Sequence, residues 1–191
     1  FRAQGGLWAK HDPSQLATFE AFSHDPQLVW SWYSWRRKLI RDVVPNPGHY
    51  ALVELAALFP RFSLITQNVD DLHRRAGSRE VHELHGNIEH GRCIRCAKPY
   101  HGDAAPPTEE VQRCDCGGLI RPGVVWFGES LPEEELRFAQ DAARGCDLFL
   151  SVGTSGLVYP AAALPVMARQ GGAYVVEINP EPSAIARQLD E

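Results

Sequence analysis

The stretch that decides the fold reads DLFLSVGTS and covers residues 147–155. It joins a short apolar strand directly to small and polar residues. Residues 62–68 and 173–179 repeat this arrangement, and helical patterns fit at about Glu133–Arg144 and Tyr159–Arg169. Apolar strands that alternate with helices predict a parallel sheet covered on both faces. We therefore expect an α/β fold with ligands bound where the strands end. The predicted strands are residues 62–66, 147–152 and 173–178.

Composition limits the class of protein. The chain has 191 residues, of which 44% are hydrophobic and 23% charged, and its formal net charge is −5. These values are ordinary for one globular domain, or for one domain with a small insertion. No run of Lys and Arg predicts direct nucleic-acid binding, and no apolar stretch is long enough to span a membrane. We expect a cytoplasmic monomer. Because the chain begins at Phe1 rather than Met, we also expect that one or both ends are missing and that a targeting peptide would not be visible.

A helical region precedes the first predicted strand. We predict one helix from about Pro26 to Ile40, with Asp25 as its N-cap and Pro26 in its first turn. A second helix is predicted over residues 48–58. The bulky residues of the first helix recur at a three-four spacing, at Leu28, Trp32, Trp35 and Leu39.

Four of the five cysteines form two close pairs separated by seventeen residues. Such pairs can converge on one tetrahedral Zn²⁺ with Zn–S bonds of about 2.3 Å. The sequence nearby offers no catalytic base, so we predict a structural zinc held by Cys93, Cys96, Cys114 and Cys116. Four reduced core cysteines are the alternative. Cys146 lies apart from the pairs and is predicted to be an ordinary core residue.

Polar residues follow two of the apolar segments. Residues 66–73 place amides and carboxylates beyond a strand, where they could hold ribose hydroxyls and a carboxamide. A helix N-cap by Asp70 is an equally good interpretation. His85 precedes a glycine at another strand end, where it could act as a base. His73 and His82 compete for that role, and composition does not choose among the three. Residues 153–155 are a weak signal for a phosphate-binding loop.

Taken in order, these motifs resemble the sirtuin (Sir2) family over nearly the whole chain. The matching segments are Phe1-Arg2, Gly6-Leu7-Trp8, Thr66-Gln67-Asn68-Val69-Asp70, His85-Gly86, the four cysteines, Arg121–Glu129, Gly153-Thr154-Ser155 and Glu177-Ile178-Asn179. The resemblance implies a Rossmann-like sheet with helices on both faces, a small zinc-binding module and a helical insertion. The implied boundaries are residues 1–88 and 119–191 for the NAD-binding domain, about 9–46 for the insertion and 89–118 for the zinc module.

The resemblance also implies an activity, the NAD-dependent removal of acyl groups from protein lysine side chains. His85 matches the catalytic histidine, and acylated-lysine peptides are the implied partners. The residues implied to bind NAD are Phe1, Arg2, Gln67, Asn68, Asp70, Gly153, Thr154, Ser155, Asn179 and Glu181. The segment implied to pair with the substrate peptide as an added strand is Val125, Trp126, Phe127 and Gly128.

Two further matches bear on the acyl group. Tyr33 and Arg36 are similar to the Tyr-x-x-Arg pair of sirtuins that accept acidic acyl groups, the class III type, and Ala17 matches their small pocket residue. A guanidinium can bind a carboxylate with two hydrogen bonds, and a Tyr hydroxyl adds a third. We therefore expect a desuccinylase or demalonylase with deacetylase activity. In the competing interpretation, Arg36 is a solvated surface charge.

Three other activities stay open. The protein could be a plain deacetylase in which Tyr33 and Arg36 are idle. It could be a non-catalytic module that binds NAD or peptides, because the Gly-Ala-Gly-type loop that precedes Phe1-Arg2 in the family is not in this chain. Mono-ADP-ribosyl transfer is the third.

Overall fold

A computed structural model describes residues 15–101 and 110–191 of the chain. Six α-helices and seven β-strands are described. The helices are α1 (Phe19–His24), α2 (Pro26–Arg41), α3 (Pro47–Leu58), α4 (Leu72–Ala76), α5 (Glu133–Gly145) and α6 (Leu164–Gln170). The strands are β1 (Ile65–Thr66), β2 (His82–Glu83), β3 (Gly86–Cys93), β4 (Pro99–Tyr100), β5 (Ile120–Val124), β6 (Leu148–Val152) and β7 (Tyr174–Ile178). Within this part of the chain, no helix combines the length and apolar character needed to cross a bilayer.

Helix α2 begins as its sequence predicts. The Asp25 side chain accepts a hydrogen bond from Leu28 N at 2.9 Å, and Pro26 occupies the first turn, where its missing N–H costs nothing. The predicted apolar stripe is only partly the buried face, however, because Trp32 is buried but Trp35 is 42% exposed. Leu28 and Leu39 are 52% and 41% exposed. The buried face lies one position further along the helix and includes Val29 and Tyr33, because this is the side that packs against the strands.

The parallel pairing that the sequence predicts is confirmed in two separate pairs. Strand β1 pairs with β2 over two residues each, and β6 pairs with β7 in parallel from Leu148–Tyr174 to Val152–Ile178. Among the described residues no ladder joins the two pairs. The strand predicted over residues 62–66 is shorter than expected, since in the described part of the chain only Ile65 and Thr66 form ladder pairs with β2.

The helix predicted at residues 159–169 is also divided. A 3-10 turn covers Ala161–Ala163, and the α-helix begins only at Leu164, with Pro165 in its first turn. Proline is tolerated there because the first N–H groups of a helix have no intrahelical partner. Helix α6 packs on β6 and β7, and α5 packs on α6 and β2; their shared core contains small residues, among them Ala139, Ala143 and Ala168.

A three-stranded antiparallel sheet lies between the parallel pairs in the sequence. Its order is β4-β3-β5, with an irregularity in β3 between Gly86 and Gly91. Strand β3 runs through the boundary predicted at residue 88/89. A second apolar core joins this sheet to α1 and α2, and it contains Phe22, Val29, Tyr33, Ile88, Val124 and Trp126.

Candidate functional site

His85 lies in the tight connection between β2 and β3. Its carbonyl oxygen accepts a hydrogen bond from Val125 N at 2.8 Å, so the connection is fixed to the end of β5. The next residue, Gly86, has φ +75°, and a Cβ there would lie 2.2 Å from Gly123 O. No side chain fits at that distance, and L-residues disfavour this backbone region. The sequence His-Gly is therefore a structural requirement of the position of His85.

The hydrogen bond of the His85 ring defines its chemistry. Nδ1 lies 3.0 Å from the carbonyl oxygen of Gln67. A carbonyl can only accept, so Nδ1 carries the proton and Nε2 keeps its lone pair. Burial lowers the pKa of His85 below its usual range, although the hydrogen bond with Gln67 acts in the opposite direction. The imidazole is therefore neutral near pH 7 and can accept a proton at Nε2.

The two competing histidines have structural partners. His82 Nδ1 lies 2.8 Å from a carboxylate oxygen of Glu135, and its ring stacks on Phe138 at a centroid distance of 3.6 Å. His73 packs against His49 at a centroid distance of 4.7 Å, between α4 and α3. Of the three, His85 is the one that meets both the Gln67-Asn68 loop and the end of β5.

The loop after β1 brings its predicted residues together. Ile88 N donates to Val69 O at 2.8 Å, which ties the loop to β3. Asp70 is buried, and its Oδ1 accepts a hydrogen bond from Leu72 N at 3.1 Å, at the start of α4. The N-cap residue of α4 is Asp71, which makes no side-chain cap hydrogen bond, so the interpretation of Asp70 as the helix N-cap is wrong. Asp70 instead binds local backbone, and it borders a cleft of about 490 Å³. Other residues of that cleft are Arg41, Arg75, Glu89 and His90.

Asn87 stabilises this loop through hydrogen bonds of its side chain. The sequence alone did not indicate this role. Its amide Nδ2 donates to Asp71 Oδ1 at 3.0 Å and to Glu83 Oε1 at 2.8 Å, and its Oδ1 accepts from Glu89 N at 2.9 Å. Asp71 has a left-handed backbone, with φ 61°. A buried amide with these three partners holds the segment around His85 and Asp70 in one geometry. Its sequence signal is weak, a polar residue two positions after His85.

Tyr33 and Arg36 are both buried, at 2% and 4% exposed. The interpretation of Arg36 as a solvated surface charge is therefore wrong. Its guanidinium carbon lies 4.6 Å from the centroid of the Trp32 ring and 5.4 Å from that of Tyr33. Burial lowers the pKa of Arg36, while Tyr33 and Asp70 raise it; burial also raises the pKa of Tyr33. At neutral pH the site offers a protonated phenol and a guanidinium.

The predicted peptide segment meets this pair. Trp126 Nε1 donates to the Tyr33 hydroxyl oxygen at 3.0 Å, and Phe127 N donates to Ala17 O at 2.9 Å. Ala17, Tyr33 and Trp126 belong to one apolar cluster. Val125 follows directly on β5, and Phe127 is 54% exposed. The structure thus brings residues 17, 33, 36 and 125–127 together from three parts of the chain.

An ion pair between buried Arg121 and half-buried Glu129, which the sequence did not indicate, fixes the same segment. Arg121 donates to both carboxylate oxygens of Glu129 and to Val124 O. Glu129 also accepts a hydrogen bond from Trp126 N at 2.8 Å. The Arg121 guanidinium carbon lies 3.3 Å from the centroid of the Trp126 ring. Burial would raise the pKa of Glu129, but these hydrogen bonds outweigh it and lower the pKa.

The loops after β6 and β7 meet at the ends of their strands. Asn179 Nδ2 donates to Thr154 O at 2.7 Å and to Glu177 Oε1 at 2.6 Å, so its Oδ1 is left as the acceptor. Gly153 has φ +65°, and no heavy atom lies within 4 Å of where its Cβ would be. Ser155 joins the same loop through its carbonyl oxygen, which accepts from Ala184 N, and Glu181 is exposed. Phe1 and Arg2 lie outside the described residues.

The four predicted cysteines converge. Their Sγ atoms all lie within 4.8 Å of one another. The second pair is tightened by a turn in which Gly117 N donates to Cys114 O at 2.8 Å. A Cβ on Gly118 would lie 2.8 Å from Cys93 Sγ, so the glycine leaves room for the sulfur cluster. Four sulfur ligands at this spacing are positioned to bind a zinc ion, with no ligand position left for catalysis. Cys146 lies elsewhere, half-buried, with its thiol hydrogen-bonded to Ala143 O.

Comparison with known proteins gives one family. The Sir2 family model matches residues 1–160. An NAD-dependent protein deacylase of Aquifex aeolicus is 52% identical over 191 residues, which are 100% of this chain and 80% of that protein. A solved Sir2 homolog–NAD complex has a TM-score of 0.92 at 44% identity, covering 100% of this chain and 75% of the other. A structure of Sir2 bound to acetylated peptide has a TM-score of 0.82 at 34% identity, covering 89% and 73%. The chain belongs to the Sir2 family.

Proposed function

We propose that this protein is an NAD-dependent protein-lysine deacylase that releases nicotinamide and an O-acyl-ADP-ribose. The observation that carries the proposal is the hydrogen bond between His85 Nδ1 and Gln67 O, which leaves Nε2 as a base beside the polar loop. The Aquifex relative bears the name of this activity, and the two solved homologues bind NAD and an acetylated peptide.

The residues of the loops fit the two ends of NAD. Gln67, Asn68 and Asp70, with Arg2 and Phe1, are proposed to hold the nicotinamide–ribose end. Asn179 supports the other end, because its amide hydrogens are already used and its Oδ1 can accept from a hydroxyl or an amino group. We assign the phosphates and adenosine half to Gly153, Thr154, Ser155, Asn179 and Glu181.

When bound, NAD supplies an anomeric carbon with nicotinamide as its leaving group. With NAD in place, His85 would accept a proton at Nε2 from a ribose hydroxyl, and its neutral form is the one that burial favours. The Gln67 carbonyl keeps the ring in the required tautomer and orientation. Val125, Trp126, Phe127 and Gly128 are proposed to pair with the peptide through main-chain hydrogen bonds, which tolerate many sequences.

We further propose a preference for succinyl- or malonyl-lysine. A buried guanidinium and a buried protonated phenol side by side supply the kinds of donor that a carboxylate binds best. Ala17 and Tyr33 contact the proposed peptide segment, and the Arg36 guanidinium lies against the Tyr33 ring, which supports an acyl site at this end of the segment. A plain deacetylase is the second candidate, because the aromatic faces of Trp32 and Tyr33 and the nearby Asp70 already stabilise Arg36.

The zinc site is proposed to have a structural role. Cys93 closes β3, and Cys114 precedes β5, so one bound ion would tie the end of β3 to the segment that enters β5, at one end of the antiparallel sheet. Structural zinc contributes directly to folding free energy. The domain boundaries at residues 88/89 and 118/119, the monomeric state, the lack of nucleic-acid binding and the cytoplasmic location stay predictions.

The proposal is tested on the full-length protein with NAD and one peptide in succinyl-lysine and acetyl-lysine forms. His85→Ala should lower kcat about 10²- to 10⁴-fold, since a general base is lost. Its zinc content and melting temperature should stay close to those of the wild type. His82→Ala is the matched control, because it removes an imidazole that contacts α5 instead of the loop. Full activity of the His85 variant, or release of no nicotinamide by the wild type, would refute the proposal.

A further inference from the structure

The indole of Trp126 has more contacts than a main-chain peptide strand needs. Its ring is covered by the Arg121 guanidinium, its N–H reaches the Tyr33 hydroxyl, and its backbone N–H is bound by Glu129. The ring is 2% exposed. A residue that bound the peptide only through its backbone would not need a side chain held by Arg121 and Tyr33.

The hydrogen bond to Tyr33 has a defined direction. An indole N–H can only donate, so the phenolic oxygen is the acceptor. A phenol keeps its O–H close to the ring plane, which leaves two orientations for the proton. Because the Trp126 N–H approaches the oxygen, the Tyr33 proton is directed to the other side. Burial raises the pKa of Tyr33, so the hydroxyl keeps this proton at neutral pH.

We propose that Trp126 is a specificity-determining positioning residue that directs the Tyr33 hydroxyl proton toward the carboxylate of an acidic acyl group. Arg121 and Glu129 hold the indole in the orientation that this requires. The inference rests on the proposed acidic-acyl preference and adds a side-chain role to a segment that otherwise acts through its backbone. It also couples the peptide segment to the end of the acyl group, since Trp126 belongs to both.

The role of Trp126 is tested by measuring kcat and KM for the succinyl and acetyl peptides with four variants: Trp126→Phe, Tyr33→Phe, the double variant and Arg36→Met. Trp126→Phe keeps an aromatic ring under Arg121 but removes the N–H. We expect the succinyl-to-acetyl ratio of kcat/KM to fall about tenfold, mainly through KM for the succinyl peptide. The double variant should lose no more of this ratio than Tyr33→Phe alone, because both changes remove one interaction.

Trp30→Phe is the matched control. Trp30 is also buried beneath an arginine, with the Arg37 guanidinium carbon 4.9 Å from its ring centroid, but it belongs to the core beside the cysteines. The succinyl-to-acetyl ratio of kcat/KM for Trp30→Phe should equal that of the wild type, even if the melting temperature of the variant falls. If Trp126→Phe does not fold, the indole N–H resonance of Trp126 in the wild type provides the test. It should shift more with the succinyl peptide than with the acetyl peptide, and equal shifts overturn the inference.

The other outcomes separate the two proposals. Equal losses for both peptides in Trp126→Phe, or losses that multiply in the double variant, overturn the inference. It also fails alone if Arg36→Met lowers the ratio while Trp126→Phe does not. If the wild type shows no succinyl preference, or Arg36→Met leaves the ratio unchanged, the acidic-acyl proposal fails and the inference fails with it.

Discussion

The turn at His85 and the proposed acyl end at Arg36 show the same physical effect with opposite chemical results. Burial lowers the pKa of both side chains. The usual pKa of a histidine is about 6.5, so a downward shift leaves it neutral near pH 7; the usual pKa of an arginine lies far above neutral pH, so Arg36 keeps its charge. One site becomes a proton acceptor and the other a fixed cation. The starting pKa of the residue type, rather than the degree of burial, decides which chemistry a buried site can perform.

The two regions are also held differently. The His85 turn is fixed by backbone, through hydrogen bonds to Val125 N and Gln67 O and the close approach of Gly86 to Gly123. The acyl end is fixed by side chains, through Trp32, Tyr33 and Trp126. A change at the turn should therefore affect folding or all activity, whereas a change at the acyl end should affect the choice of substrate.

The largest effect is expected from Gly86→Ala, which changes the backbone of the His85 turn. The new Cβ would meet Gly123 O at 2.2 Å in a backbone region that alanine disfavours. We expect a loss of more than about 3 kcal/mol in the free energy of unfolding, measured by denaturant titration. Gly145→Ala is the control, because no heavy atom lies within 4 Å of its Cβ position, and it should stay within about 0.5 kcal/mol of the wild type. A mild effect of Gly86→Ala would mean that the turn is not locked by its backbone.

The pH dependence of activity tests whether burial keeps His85 neutral. We propose that His85 acts in its neutral form. Burial lowers its pKa, so this form still dominates at pH 6.5, which is about the usual pKa of a histidine. The acid limb of kcat/KM should therefore have its midpoint below pH 6.5, with a tenfold fall per pH unit beneath it. An NMR titration of the His85 ring should give the same midpoint. A midpoint above 6.5 would show that the proton acceptor is another group or that burial does not control it.

The smallest effect is expected at the acyl end. Arg36→Met keeps a long apolar side chain and removes the guanidinium, so the succinyl-to-acetyl ratio of kcat/KM should fall about tenfold or more. Deacetylation should be the less affected activity. Lys38→Met removes a positive charge from the exposed side of the same helix and should leave the ratio unchanged. Equal effects of both changes would point to general electrostatics instead of a specific carboxylate contact.

Features that depend on neighbouring residues could be predicted from the sequence. The start of α2 follows from Asp25-Pro26, and the cysteine cluster follows from two close pairs. The parallel pairing of β6 and β7 follows from apolar strands separated by a helix. Each of these features depends on contacts between residues close in sequence, or on the rule that strands joined by a helix pair in parallel. The spacing of residue types is therefore enough to predict them.

Other features were fixed only by tertiary packing. The sequence Arg36-Arg37-Lys38 looks solvated, yet the fold buries Arg36 because α2 turns that side toward the strands. The choice among His73, His82 and His85 depends on which ring meets Gln67 O, and the pairing of Arg121 with Glu129 depends on the turn that follows β5. Periodicity gives a helix but not the direction of its buried face, and residue type gives a reactive group but not its partner. The sequence was sufficient to identify the chemical groups and the start of α2, whereas β1 and α6 begin later than their patterns predict. The tertiary structure decided which groups are buried together, because burial and hydrogen-bond partners come from segments far apart in the chain.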